Sequence, residues 1–324
     1  MNTETGTEAA GAGRDARSRA GEPEREQERE QVRDIFAAAG CRARLHAVDI
    51  DGEREFGVGA GEPVVIASVF KVLLVLEFAR QSAAGSLDPR ERVTVTAGDR
   101  LGGWGTSGCA DDVEVSLRDL AFFALSVSDN AAADALMRAV GPDTVQLLAD
   151  ELGLSATRIM GGPRELLDSL IADTGARGAE EFAALYPALS AERFGALSVL
   201  DPARTNSSTA REITALLGMI WRDEAGSADA CAFVRELMAR QVFRHRLVSG
   251  FPDGVLVAAK TGTLPGLHNE AGVVHWPDGG RYAVAVFART ADPAADRVAV
   301  DAAIGRAARV AVDFLRAGGP GHPA

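Results

Sequence analysis

The order of apolar and polar positions divides the chain into strand-bearing ends and a helical middle. From Glu24 to Ala39 a charged stretch turns apolar at helical spacing and stops at Gly40, which predicts a helix with glycine just past its end. CRARLHAVDI and EREFGVG read as two short strands joined by a DG turn. EPVVIAS then leads into a helix predicted from about Ser68 to Gln81. SLRDLAFFALSVSDNAAADALMRAVG keeps helical periodicity except between Ser126 and Asn130, and PDTVQLLADELG is a further helix ending at Gly153. TAREITALLGMIWRDEA is amphipathic, with Thr209 as its cap and Glu212 three residues on to complete a capping box. Strand patterns return in GVLVAAKTGT and NEAGVVHWPDGGRYAVAVFART, the latter folded at PDGG into a hairpin. A last amphipathic helix is predicted from Pro293 to Ala317.

Three late strands and two early ones are enough for one antiparallel five-stranded sheet, flanked by the terminal helices, with an all-helical lobe inserted between. The fold class is therefore α/β in the α+β sense. The expected division is a disordered tail over 1–22, a sheet domain from 23–67 and 221–324, and a helical domain over 68–220 with the active site between them. No internal repeat is present.

Composition narrows the function more than the fold. A hydrophobic fraction of 47% over 324 residues supports a large core, and a net charge of -12 disfavours nucleic acid or an anionic membrane as partner. Cys41, Cys109 and Cys231 are odd in number and widely spaced, and the five histidines show no HExxH-type spacing, so neither a disulfide framework nor a metal or other cofactor is expected. No signal-peptide core and no membrane-length apolar run occurs, which gives a cytoplasmic expectation. Oligomeric state is not readable.

The chemistry begins with a count. Of 34 basic residues only Lys71 and Lys260 are lysine. Arginine cannot give up its proton in a protein, whereas a desolvated lysine can, so a lysine retained in an arginine-writing chain is a candidate base or a fitted ammonium. Ser68 precedes Lys71 by three residues within VVIASVFKVLLVLEFA, whose apolar neighbours would desolvate the amine. An isolated SxxK is too short to exclude a lysine that merely reaches out to water. Here, however, it is followed by SDN at Ser128, Asp129 and Asn130, and by KTG at Lys260, Thr261 and Gly262.

That ordered triple resembles the penicillin-recognising serine hydrolases, class A β-lactamases and their actinobacterial relatives above all, over roughly residues 24–317. The resemblance implies the β-lactamase-like fold, Ser68 as nucleophile, Lys71 as its activating partner and Ser128 as proton shuttle. It further implies Asn130 as a substrate and lysine contact, Lys260 and Thr261 as a carboxylate site, and backbone N–H groups of Ser68 and Thr263 as oxyanion donors. Asp129 is read as structural.

The chain departs from the family in three places. Glu192 falls where the deacylating glutamate would stand, but Ala196 occupies the companion asparagine position, so Glu192 is read as a surface helix residue in preference to a base. The stretch 159–200 is longer than the family's loop, with ELLDSLI and EEFAALYPAL as helical pieces. Downstream of KTG the carboxylate-binding arginine is missing, which puts carboxylate recognition in question; His268 or Asn269 is a candidate substitute, but each is read first as a satisfied loop residue. The expected activity is a serine hydrolase forming an acyl-serine at an amide or β-lactam carbonyl of a small molecule. The alternatives are a cytoplasmic acyltransferase or amidase using the same acyl-enzyme, and a non-catalytic penicillin-binding-type sensor.

Overall fold

The computed structural model describes residues 22–291 and 297–317, so residues 1–21 of the expected tail and the first residues of the expected last helix lie outside the described residues, while Glu22, counted with the tail, already belongs to the first helix. The five strands are β1 (Cys41–Asp49), β2 (Glu55–Val58), β3 (Leu256–Leu264), β4 (Leu267–His275) and β5 (Arg281–Thr290), in the order β2-β1-β5-β4-β3, every pair antiparallel. The five-stranded antiparallel sheet thus forms as expected. It places β3, which carries the KTG residues, at an edge.

Alternation along the strands explains why both faces are covered. Val284, Val286 and Ala288 of β5 face α1 (Glu22–Ala38) and the terminal helix Arg297–Ala317, against Val32, Phe36, Ile304 and Ala311. Ala283, Ala285 and Phe287 face the other way, into a core shared with the helical lobe. Ala210–Trp221 packs in that second core, with Ile213 and Leu217 buried.

The lobe is built around α2 (Lys71–Ala83), whose residues from Lys71 to Leu76 are all buried. A helix apolar on every side belongs in an interior, and each of its buried leucines contributes about 1.5–3 kcal/mol. Around it lie α3 (Leu117–Ser126), α4 (Asn130–Val140) and α5 (Pro142–Glu151). Ala131, Ala132, Ala133 and Ala135 of α4 are buried, and such small side chains permit close helix packing.

Three local expectations change. The lobe is not helical throughout, because the β-branched RVTV at Arg92–Val95 pairs with Val113–Ser116. The helix expected from Ser68 begins as a 3-10 turn, Ala67–Phe70, and becomes α-helical only at Lys71. The capping box is half made: Thr209 Oγ1 accepts from the Glu212 amide at 3.1 Å, but the Glu212 carboxylate takes the Ala156 N–H at 2.8 Å and the Thr157 hydroxyl at 2.7 Å. A tertiary donor pair has displaced the local one.

Candidate active site

Ser68 stands half-buried in the turn at the head of α2, directly after Ala67, a non-glycine residue at φ 47. Two anchors hold that strained turn. Ile66 donates its N–H to Asn206 O at 3.1 Å, and Asn269 of β4 donates its side-chain amide to Val65 O at 2.9 Å. Strain of this kind persists only where surrounding contacts over-determine it. Gly262 explains how β3 comes so close, since a Cβ there would lie 2.6 Å from Ile66 O. Only glycine permits that approach.

Lys71 is fully buried, and its amine is turned toward the SDN loop. It reaches Ser128 O and Asn130 Oδ1 at 2.8 Å each, Asp129 O at 3.2 Å and Ser128 Oγ at 3.5 Å. Three strong oxygen acceptors outcompete one hydroxyl, and Ser68 Oγ makes no hydrogen bond among the described residues. Burial pulls the Lys71 amine down to about 7, with Asp129 and Asp134 opposing the fall. The other retained lysine, Lys260, is equally buried and donates to Thr261 O at 2.8 Å. Burial, then the charge of Lys71, holds its amine well below the ordinary range.

The loop presenting Ser128 is shaped by Asp129, which caps α4 through Ala132 N at 3.2 Å. Its carboxylate also accepts from Thr106 N (2.5 Å), Thr106 Oγ1 (2.6 Å) and Ser107 Oγ (2.7 Å). All that anchorage lets Ser128 adopt φ 60. Just before Thr106 the segment Gly102-Gly103-Trp104-Gly105 leaves Trp104 68% exposed, a large apolar side chain standing free beside the SDN loop.

At the edge of β3 the Thr261 N–H points outward to Gln241 Oε1 at 2.6 Å. Backbone orientation repeats every second residue, so the Thr263 N–H turns the same way, off the sheet and toward the site. Arg246, only 4% exposed, donates to Thr263 Oγ1 at 3.0 Å and is held by Asp301 at 2.6 Å. It supplies an arginine where the residues after KTG have none. His268 is spent on Asp301 at 2.7 Å, and Asn269 on Val65.

Hydrogen bonds thus join Lys71, Ser128 and Asn130, and Gly262 carries Lys260, Thr261 and Thr263 against the Ser68 turn. Glu192 stands apart. It is exposed on the five-residue helix Ala191–Gly195, whose Phe194 is buried with Val65, Leu170 and Leu267. Nearer to Lys71 is Asp134, one helical turn beyond Asn130. One of its oxygens accepts from Arg164 N at 3.3 Å and the other is buried without a partner. Burial raises its carboxyl to about 6. Sequence reasoning passed over Arg246, Trp104, Asp134, Gln241 and Glu270. Arg246 was hidden as one of 32 arginines, and the carboxylates had no motif to mark them. No group of three or more His, Cys, Asp or Glu side chains among the described residues is placed to hold a metal.

Comparison with known proteins bears on the family and the fold. A family model described as the β-lactamase enzyme family matches residues 27–315. The β-lactamase regulatory protein BlaB of Streptomyces cacaoi is 30% identical over 303 residues, covering 88% of this chain and 96% of that one. A β-lactamase of Streptomyces albus G is 25% identical over 288 residues, 86% of this chain and 81% of its own. The class A β-lactamase from Mycobacterium abscessus superposes with a TM-score of 0.74 at 19% identity, over 89% of this chain and 99% of its own. A family match across nearly the whole described chain decides the matter: this chain belongs to the β-lactamase enzyme family of serine hydrolases, on a fold like that of the class A β-lactamases.

Proposed function

We propose that Ser68 is acylated by a β-lactam or a related small-molecule amide, and that the acyl group leaves slowly in water or passes to another nucleophile. The observation that carries this reading is Lys71: a fully buried amine at about 7, three residues from Ser68 and tethered to Ser128 and Asn130. In its neutral form it takes the proton of Ser68 as Oγ bonds to the carbonyl carbon. The N–H groups of Ser68 and Thr263 receive the negative charge on the carbonyl oxygen. As the C–N bond breaks, Ser128 passes the proton from Lys71 to the departing nitrogen. Lys260, Thr261 and Arg246 hold a carboxylate on the substrate, and Trp104 covers its apolar part. A cavity of about 240 Å³ beside Thr263, lined by Tyr186, Leu264, Pro265 and His268, gives room for a substituent.

Slow deacylation is supported by the placement of Glu192, exposed and without a hydrogen bond to any of these groups. Incubation with penicillin, followed by intact mass and product, tests the proposal. A long-lived adduct on Ser68 is expected, shortened by added amines or alcohols if transfer is the natural outcome. Rapid hydrolytic turnover overturns the slow-deacylation part, and absence of any adduct overturns the reading. A second reading, a sensor whose acylation is the signal, is favoured by the likeness to a regulatory protein. It requires a lasting adduct that no acceptor shortens.

A further inference from the structure

We propose that Glu270 is a positioning residue for the carboxylate-recognition half of the site, locking the edge of β3 to the Arg246 loop and offsetting the charge of Lys260. This rests on the reading that Lys260 and Arg246 receive a substrate carboxylate. Glu270 lies on β4 opposite Thr261 and is 0% exposed, a position with no role in the acyl-enzyme steps above.

Its two oxygens are both occupied by donors. Gln241 Nε2 reaches Oε1 at 2.7 Å and the Leu247 N–H reaches Oε2 at 2.5 Å. The orientation of Gln241 is set from its other end, because its Oε1 accepts the Thr261 N–H. A donor at each oxygen favours the ionised carboxylate and opposes the rise that burial imposes on this group. One buried charge thereby ties Thr261 on the sheet edge, through Gln241, to the residue following Arg246.

The charge balance of the cleft points the same way. Three basic side chains, Lys71, Lys260 and Arg246, are buried close together. Arg246 has Asp301 at 2.6 Å, and Lys71 has Asp129 and Asp134 acting on it. The charges acting on Lys260 are Lys71, Arg246 and Glu270, and only the last of these favours its protonated form. Burial raises Glu270 itself, while the Leu247 N–H, Arg246, Gln241 and Lys260 oppose that rise. Removing the carboxylate leaves Lys260 with only the basic groups of Lys71 and Arg246 acting on it, so its proton is lost at lower pH.

The chain's two lysines make this directly measurable, since lysine labelled with 13C at Cε gives two signals to titrate, assigned by loss of one in Lys260→Arg. In Glu270→Gln the Lys260 signal is expected to titrate at least about one pH unit lower, the usual reach of a neighbouring charge. Penicillin should then acylate with a half-saturating concentration raised about tenfold and a limiting rate little changed, whereas its methyl ester should react alike with both proteins. An unmoved Lys260 titration, or equal losses with acid and ester, overturns the proposal. If Glu270→Gln does not fold, Glu270→Asp carries the test: a carboxylate withdrawn by one methylene must still move the Lys260 titration to lower pH, by less, and an unmoved titration overturns the proposal. Should the wild-type protein not react with penicillin, the proposed function falls, and the Lys260 titration alone decides this inference.

Discussion

Replacing Lys71 by arginine isolates what its amine does. A lysine at the ordinary value of 10.5 would be neutral in about one molecule in 3,000 at pH 7, whereas at about 7 half are neutral. In the wild-type protein acylation should therefore rise about tenfold between pH 6 and pH 8, since the neutral fraction of such a group goes from about 0.09 to about 0.9. Arginine keeps positive charge but offers no neutral form in that range. Losing a positioned base typically costs about 10²–10⁴-fold in rate, and that is the loss expected in Lys71→Arg. The substitution also forces a longer, forked side chain into a site with 0% exposure, so a stability cost of about 1–3 kcal/mol from overpacking accompanies it. The assay is quench-flow acylation by penicillin read by intact mass across pH 5.5–9, beside thermal denaturation to show that the variant is folded. A folded Lys71→Arg protein acylating Ser68 at the wild-type rate would refute the proton-acceptor argument. So would a wild-type rate that is flat from pH 6 to pH 8.

Other expectations follow from particular contacts. Gly262→Ala sets a methyl against Ile66 O and should cost about 1–3 kcal/mol in denaturant unfolding while slowing acylation, as β3 backs away from the Ser68 turn. Asp129→Asn puts an amide where four donors converge and should lose about 2–4 kcal/mol, with acylation falling alongside as Ser128 leaves its φ 60 conformation. Glu192→Ala should change stability by no more than about 0.5 kcal/mol and leave the lifetime of the Ser68 adduct unchanged, and a longer-lived adduct would restore Glu192 as a base.

Much of the architecture was legible because its signals are local. Alternation and turn residues mark the five strands, and the length and all-round apolarity of 69–79 mark a helix that has to be buried. Antiparallel pairing then needs only short connections, as between β4 and β5 at PDGG. The lysine count was legible too, since a residue kept against the compositional grain needs no coordinates to be noticed. Burial of Lys71 was implied by its apolar neighbours, although its direction was not. The sequence spacing set Ser68 and Lys71 face to face, while the fold turned the amine to three oxygens of a loop beginning 57 residues later.

Sequence alone therefore determined the class of fold, the positions of SxxK, SDN and KTG, and the suspicion attached to two lysines. Only the tertiary structure decided which carboxylate answers which cation. Arg246 reaching Thr263 and Glu270 reaching Gln241 and Leu247 depend on strand register and on how a loop closes over a sheet edge. A one-residue slip in that register would send each side chain to the opposite face. Such pairings are contacts between segments distant in the chain, made in a space from which water is excluded. They carry no periodicity and no motif, and their strength comes from the burial that folding creates.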